Sequence, residues 1–280
     1  MAKLLEGSIL ALKIKEEIKS QVASLKSKPV LASILVGDDA SAAAYVKSQG
    51  KTAQGLGVIF KLHQLDKNIT EGDLIDFILN LNADKTVNGI ILQTPLPDTI
   101  DHKKVSECIS PLKDVEGMHP VNAGKLFFGR ATMVACTAGA VMELLNSVNV
   151  DLYGKEVVVV GHSEIVGKPL MLLLLEKFAT VTVCHIGTSK AGKLEEHVRR
   201  AQVLIVAVGK ANLIKGSWIK EGAIVIDVGI NRVGDKIVGD VEFDVAQKHA
   251  AYITPVPGGV GPLTVTILMR NLLQAIKLQK

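Results

Sequence analysis

The segment Val157-Val158-Val159-Val160-Gly161-His162-Ser163-Glu164-Ile165-Val166-Gly167-Lys168-Pro169 decides the fold class of this 280-residue chain. Four consecutive valines with no polar alternation read as a strand buried on both faces, as in a parallel sheet covered by helices. The leucine-rich segment Pro169–Phe178 reads as the helix that follows. A strand, a glycine turn and a helix N-terminus in that order leave free backbone N–H groups where a pyrophosphate can sit. Ser163 stands where the second glycine of Gly-x-Gly-x-x-Gly would be, so spacing alone fits an ordinary tight βα turn as well. The next strand, Thr180–His185, ends in Cys184-His185-Ile186, with no acidic side chain to read a ribose 2′-hydroxyl. Two later strands end at Val208-Gly209 and at Asp227-Val228-Gly229-Ile230-Asn231. Glycines at carboxyl ends of parallel strands favour a ligand there.

The alternation extends in both directions. Upstream, Ile9–Leu25 carries a helical stripe (Ile14, Ile18, Val22, Leu25), and Val30–Val36 reads as a strand stopped by Gly37-Asp38-Asp39. Ala40–Leu56 reads as a helix, Val58–Leu65 as a strand, Glu71–Asn82 as a helix and Val87–Leu92 as a strand. From Pro95 to about Arg130 the pattern is too irregular for either period, and Thr137–Ser147 is again helical. In the second half Leu194–Ala201 is a helix between the strands Val203–Val208 and Thr180–His185, and Ala223–Val228 is a further strand. Two α/β units with parallel sheets are expected, joined near residues 120–150. The first spans 1–120 with the last helix, 263–280, crossing back onto it, and the second spans 137–262.

Composition narrows the function. Thirty-two basic against 28 acidic residues give a charge of +4, and mean hydropathy is +0.32, so neither disorder nor a nucleic-acid footprint is expected. No apolar run approaches the roughly 20 residues that span a bilayer, and Met1–Gly7 has no signal-peptide core, so a cytoplasmic protein with no membrane partner is expected. Cys108, Cys136 and Cys184 lie far apart and show no zinc spacing. They read as small buried residues. His119, His162 and His185 include no pair with ligand spacing, and no metal is expected.

Candidate chemistry in the first half begins with Tyr45 and Gln49, four apart on one helix and so on one face. Gln93 closes a strand at the sheet's carboxyl edge, and Glu116 and His119 lie in the irregular segment after it. These positions can converge on a cleft between the units. A packed amphipathic tyrosine and a solvated loop glutamate are the plainer readings of the same residues. Near the C-terminus, Pro255-Val256-Pro257-Gly258-Gly259-Val260-Gly261-Pro262 holds three prolines and three glycines, a backbone more constrained than a connecting loop needs.

With those residues in view, the chain resembles the methylenetetrahydrofolate dehydrogenase/cyclohydrolase family over essentially its whole length. The resemblance is carried by Tyr45-Val46 behind Val36-Gly37-Asp38, Gln93-Thr94-Pro95-Leu96-Pro97, Lys113-Asp114-Val115-Glu116-Gly117, Gly161-His162-Ser163 with Ile165-Val166-Gly167-Lys168-Pro169, Asp227-Val228-Gly229-Ile230-Asn231, and Pro255–Pro262. It implies two α/β domains flanking a cleft, the C-terminal one a Rossmann-type nucleotide-binding domain, and a homodimer. It also implies oxidation of 5,10-methylenetetrahydrofolate to the 5,10-methenyl form with NAD or NADP, commonly followed by hydrolysis to 10-formyltetrahydrofolate. Tyr45, Gln49, Gln93 and Glu116 are then the catalytic positions. Tyr45, Gln93, Glu116, Pro257, Gly258 and Gly259 would hold the tetrahydrofolate derivative, and Gly161, His162, Ser163, Ile165, Val166, Gly167, Ile186, Gly209 and Ile230 the dinucleotide.

Departures from the family pattern shape the expectation. The family has Tyr-x-x-x-Lys, but Gln49 stands four residues after Tyr45, and Lys47 and Lys51 point away from that face. Glu116 replaces the second aspartate of Lys-Asp-Val-Asp-Gly, Ala42 replaces a serine with Ser41 adjacent, and Ala135-Cys136-Thr137-Ala138 replaces Pro-Cys-Thr-Pro. Removing a hydride leaves a resonance-stabilised cation and moves no proton, so positioning and electrostatics suffice. Hydrolysis requires water to lose a proton and a nitrogen to gain one. A glutamine amide does not titrate. Dehydrogenase activity is therefore expected to be kept and cyclohydrolase activity to be weak or absent, with the full bifunctional enzyme and a non-catalytic folate- or nucleotide-binding regulator as alternatives. His162 and Ile186 offer little to a 2′-phosphate, which favours NAD over NADP, and protonated His162 or Lys190 would reverse that.

Overall fold

Apolar runs that lack polar alternation form the strands, and 3.6-residue stripes form the helices between them. The computed structural model describes residues 1–280. In chain order the elements are β1 (Lys3–Leu4), α1 (Gly7–Ala23), β2 (Val30–Val36), α2 (Ala40–Gly55), β3 (Ile59–Leu65), α3 (Glu71–Ala83), β4 (Gly89–Leu92), α4 (His102–Ser106), α5 (Pro120–Phe127), α6 (Cys136–Ser147), β5 (Glu156–Val160) and α7 (Gly167–Leu175). They continue with β6 (Thr180–Cys184), α8 (Ile186–Lys190), α9 (Leu194–Arg200), β7 (Val203–Val206), β8 (Ile224–Asp227), β9 (Asn231–Val233), β10 (Lys236–Val238), α10 (Phe243–His249), β11 (Tyr252–Ile253) and α11 (Val260–Leu278). No helix is long and apolar enough to cross a membrane.

The chain forms two compact α/β units. One is Met1–Leu12 with Ala135–Thr264, and the other is Lys13–Val134 with Val265–Lys280. The first carries a six-stranded parallel sheet in the order β1-β11-β8-β7-β5-β6. Val157–Val160 of β5, each at most 2% exposed, lie one strand in from the β6 edge, between β6 and β7. Val158, Val160, Leu204, Val206 and Val225 share one core with Leu194 and Val198 of α9 and Ala246 of α10. Successive strands run outward in opposite directions from β5, toward β6 on one side and β7 on the other. In such sheets the crevice outside the carboxyl ends of the strands flanking that reversal is the ligand position.

The second unit repeats the logic with three parallel strands, β3-β2-β4, so its reversal lies between β2 and β4. Val30, Ala32, Ile34 and Val36 of β2 pack on Leu74, Ile78 and Leu81 of α3. Asp39 caps α2 by accepting from Ala42 N–H, and the Thr70 hydroxyl caps α3 by accepting from Asp73 N–H.

Several sequence expectations shift. Residues 1–12 belong with the six-stranded unit of Ala135–Thr264 rather than with the three-stranded one, because Lys3–Leu4 pairs in parallel with Tyr252–Ile253. The last helix begins at Val260 instead of Leu263, since Pro262 falls in its first turn, where no N–H is required. The irregular stretch after Pro95 holds α4 and α5. The His119 ring caps α5 by accepting from Val121 N–H, with Pro120 at its first position. The antiparallel pair β9-β10, α8 and α10 are too short to show a period. Cys136 and Cys184 are buried as expected, but Cys108 is only half-buried.

Candidate active site

In the second unit, Gln49 and Gln93 meet. The buried face of α2 is Ala42, Val46, Gln49 and Ala53, a helical stripe in which Gln49 is the one polar member. Gln93 follows β4, where its N–H donates to Ile34 carbonyl at 2.9 Å and extends the ladder by one residue. The Gln93 Nε2 group donates to Gln49 Oε1 at 2.9 Å and to Ser33 Oγ at 3.0 Å. All three residues are buried, with Gln49 and Ser33 at 0% exposure. Gln49 Nε2 has no partner in the protein and is closed off from solvent. Tyr45 is half-buried one turn earlier on α2, whereas Lys47 and Lys51 are exposed. The cluster therefore consists of two amides and one hydroxyl, and none of its three members titrates.

Glu116 comes from a braced segment. Asp114 pairs with Ile90 of β4, and Ile90 N–H donates to Lys113 carbonyl at 2.8 Å. The Asp114 carboxylate accepts from His119 N–H at 2.8 Å and from Asn122 Nδ2 at 2.8 Å. Asn271 of α11 donates to the Val115 carbonyl at 2.8 Å, and Lys113 Nζ donates to the carbonyls of Leu81, Asn82 and Asp84 at the end of α3. Glu116 keeps a narrow opening to solvent, yet protein surrounds its carboxyl. That desolvation, with the charge of Asp114 adding to it, pushes its pKa from 4.5 up to about 8. At neutral pH Glu116 is a protonated acid that can donate.

In the first unit, the βα turn is built by glycines. Gly161 has φ +126°, and a Cβ there would lie 2.3 Å from Ala207 carbonyl oxygen. A Cβ on Gly167 would lie 2.1 Å from the Gly161 carbonyl oxygen. Ser163 does the work of a turn residue, with Oγ accepting from Val166 N–H at 3.2 Å and its carbonyl accepting from Lys168 N–H at 3.0 Å. Val166 and Gly167 are buried, while His162, Ser163, Ile165 and Ile186 are exposed around the turn at the carboxyl edge. The turn lies beside the sheet's reversal, and its close backbone approach fits a dinucleotide pyrophosphate.

Gly209 and Ile230 sit on the loops after β7 and β8, which one carboxylate ties together. Asp240, fully buried, accepts from the N–H groups of Val208, Gly209 and Lys210 at 2.7, 3.0 and 2.8 Å and from Asn231 Nδ2 at 2.8 Å. Asp227 accepts from the N–H groups of Gly229, Asp240 and Val241. Burial raises its pKa to about 6, against the pull of those donors and with the Asp240 charge adding. Pro257 is exposed, Gly258 half-buried and Gly259 buried. Gly258 carbonyl accepts from Ser8 N–H at 3.2 Å, which anchors this loop to the start of α1 within the same unit.

Ser33, Asp240 and Asn271 escaped the sequence reading. Ser33 had a signal, a lone hydroxyl inside the apolar run Val30–Val36. Asp240 and Asn271 had none, because their partners lie up to 156 residues away in the chain.

The family described as tetrahydrofolate dehydrogenase/cyclohydrolase matches in two parts, its catalytic domain over residues 5–116 and its NAD(P)-binding domain over residues 135–280. A relative named "Bifunctional protein FolD 2" from Geobacter metallireducens is 49% identical over 99% of this chain and 98% of its own. The crystal structure of the bifunctional enzyme FolD, methylenetetrahydrofolate dehydrogenase/cyclohydrolase, from Campylobacter jejuni superposes with a TM-score of 0.97 at 44% identity, covering both chains fully. The Trypanosoma brucei methylenetetrahydrofolate dehydrogenase-cyclohydrolase, solved with NADP and an inhibitor, gives 0.94 at 39% identity over 99% of this chain and 98% of that one. A match of both halves in order, along a chain whose two sheets each present expected site residues at their reversal, settles the assignment: the chain belongs to the tetrahydrofolate dehydrogenase/cyclohydrolase family.

Proposed function

We propose that this protein oxidises 5,10-methylenetetrahydrofolate to the 5,10-methenyl form, using a nicotinamide dinucleotide as hydride acceptor. The observation that carries this reading is the buried Ser33-Gln93-Gln49 cluster, which fixes Gln93 at the carboxyl end of β4 in a chain matched by both family halves. The bound dinucleotide would supply the hydride acceptor. The chain's own contribution is to hold and orient. Gln93, fixed by two acceptors, and Gln49 anchor the folate, with Tyr45 one turn away, and Glu116 in its neutral form donates to the pterin. Loss of the hydride puts a positive charge on the folate, and a neutral Gln49 does not oppose it, whereas a cation there would.

The relatives' shared description as bifunctional favours hydrolysis of the methenyl product as a second activity of this chain over a dehydrogenase alone. One residue sets its rate. Gln49 cannot exchange protons, which leaves Glu116, with its pKa of about 8, as the titrating group of the site. Hydrolysis then runs slowly and through Glu116. NAD is the favoured dinucleotide, because Ile186 brings no charge to the end of β6. A second copy of the chain is the expected partner. β3 is a seven-residue edge strand with Ile59 and Leu62 exposed, an edge that natural proteins cover.

Purified protein should reduce NAD(P) when given methylenetetrahydrofolate, and should hydrolyse methenyltetrahydrofolate above the spontaneous rate but more slowly than it oxidises. Binding of both ligands without reduction of the dinucleotide would favour a regulator and overturn the proposal.

A further inference from the structure

We infer that Asn271 is a positioning residue for the folate site, its amide clamping the Val115–Glu116 peptide so that the Glu116 side chain leaves the backbone in one direction. The inference deepens the folate reading above and rests on the role proposed there for Glu116. Asn271 lies in the part of α11 that belongs to the three-stranded unit. Ile267, Leu268 and Ala275, three and four residues away and so on the same helix face, are at most 1% exposed, and Asn271 itself is 5% exposed. An amide buried among such neighbours is unfavourable unless its polar atoms are paired.

The Asn271 Nδ2 group donates to two carbonyls, Val115 at 2.8 Å and Val134 at 3.0 Å. These bracket the stretch 116–133, which carries Glu116 and α5, so one amide closes that stretch at its base. The Val115 carbonyl and the Glu116 N–H belong to a single rigid peptide plane. Fixing the carbonyl therefore fixes the plane from which the Glu116 Cα departs. On the other side, Gly117 turns the chain with φ +70°, and the Asp114 carboxylate accepts from the N–H groups of Met118 and His119 at 3.3 and 2.8 Å. Glu116 is thus held from both directions along the chain. The platform beneath it is rigid as well: Val115 is fully buried, and a Cβ at Gly89 of β4 would collide with the side chains of Val115 and Leu272, so strand, segment and helix are in direct contact.

Without the amide, the Val115 carbonyl loses its donor where water does not reach, and the peptide turns to find another. The Glu116 carboxyl then samples several directions, of which one meets the pterin. A contact made equally in the ground state and the transition state is read in KM rather than in kcat.

Steady-state oxidation of methylenetetrahydrofolate in a double-mutant cycle of Asn271→Leu and Glu116→Ala tests the inference. Asn271→Leu keeps the side-chain volume and removes both donations. It should raise the folate KM by about tenfold while leaving kcat and the dinucleotide KM near parental values. Glu116→Ala should raise the folate KM at least as much, and in that background Asn271→Leu should add nothing, because the group it aims is gone. Gln279→Leu removes two amide donations from the end of the same helix, to the Asn88 and Leu112 carbonyls at 2.7 and 3.0 Å, and should lower the unfolding midpoint yet leave the folate KM unchanged. If Asn271→Leu does not fold, Asn271→Ser, whose hydroxyl offers one hydrogen in place of two, takes its place in the cycle. Additive effects of the two substitutions, a parental KM in the Asn271 variant, or an equal rise in Gln279→Leu would overturn the inference, provided that Glu116→Ala raises the KM. A parental KM in Glu116→Ala would overturn the reading of Glu116 itself.

Discussion

Glu116 illustrates how one carboxyl links stability to chemistry. Its pKa is about 8 in the folded protein against an ordinary 4.5, so the native state keeps a proton that the unfolded chain gives up. Stability from this group is therefore full below 4.5 and is lost as pH rises through about 8. Glu116→Gln removes that loss. The stability difference between variant and parent should grow by roughly 2 kcal/mol in the variant's favour between about pH 6 and about pH 8, read by urea unfolding. Asp227 loses its contribution earlier, between 3.8 and about 6, and does so in both proteins. The same variant should hydrolyse methenyltetrahydrofolate more slowly still. A difference that stays flat with pH would show that Glu116 is ionised at neutrality. Ser33→Ala takes one of two acceptors from Gln93 Nε2 and should cost about 1 kcal/mol in unfolding, with a raised KM for the folate.

The glycine turn between β5 and α7 makes the sharpest prediction about an element. Gly167→Ala places a methyl against the Gly161 carbonyl, where backbone rather than a flexible side chain must yield. A loss of roughly 2–4 kcal/mol in unfolding and at least tenfold weaker dinucleotide binding are expected. Unchanged NAD(P) affinity in the calorimeter would remove the turn from the site. This turn was legible in the sequence because its parts are adjacent: an unbroken β-branched strand, glycines at fixed offsets, then leucines. The long elements were legible for the same reason, and Val30–Val36 is found with the bounds its residues announce. The two- and three-residue strands β1, β9, β10 and β11 and the five-residue helices α4 and α8 were not, since no period can be seen in so few positions.

Across the whole molecule, what the sequence hid is pairing at a distance. β1 finds β11 almost 250 residues later, through Lys3 N–H to Ala251 carbonyl at 2.8 Å and Leu5 N–H to Ile253 carbonyl at 2.8 Å. Removal of residues 1–5 should speed hydrogen exchange at 250–254 by mass spectrometry while leaving Val30–Val36 protected. Equal exchange in both places would mean that the first residues belong to no sheet. The site shows the same pattern. Gln49 and Gln93 were each picked out by position, but their shared hydrogen bond, and Ser33 beneath it, appear only when chain positions 33, 49 and 93 are folded together. The central claim is that a titrating group has been lost from this cluster, and the ratio of methenyltetrahydrofolate hydrolysis to methylenetetrahydrofolate oxidation, in the parent and in Gln49→Lys, tests it most directly. The account predicts a low ratio in the parent and a rise of about 10² or more in the variant. A parent that hydrolyses as fast as it oxidises, with no change in Gln49→Lys, would contradict it.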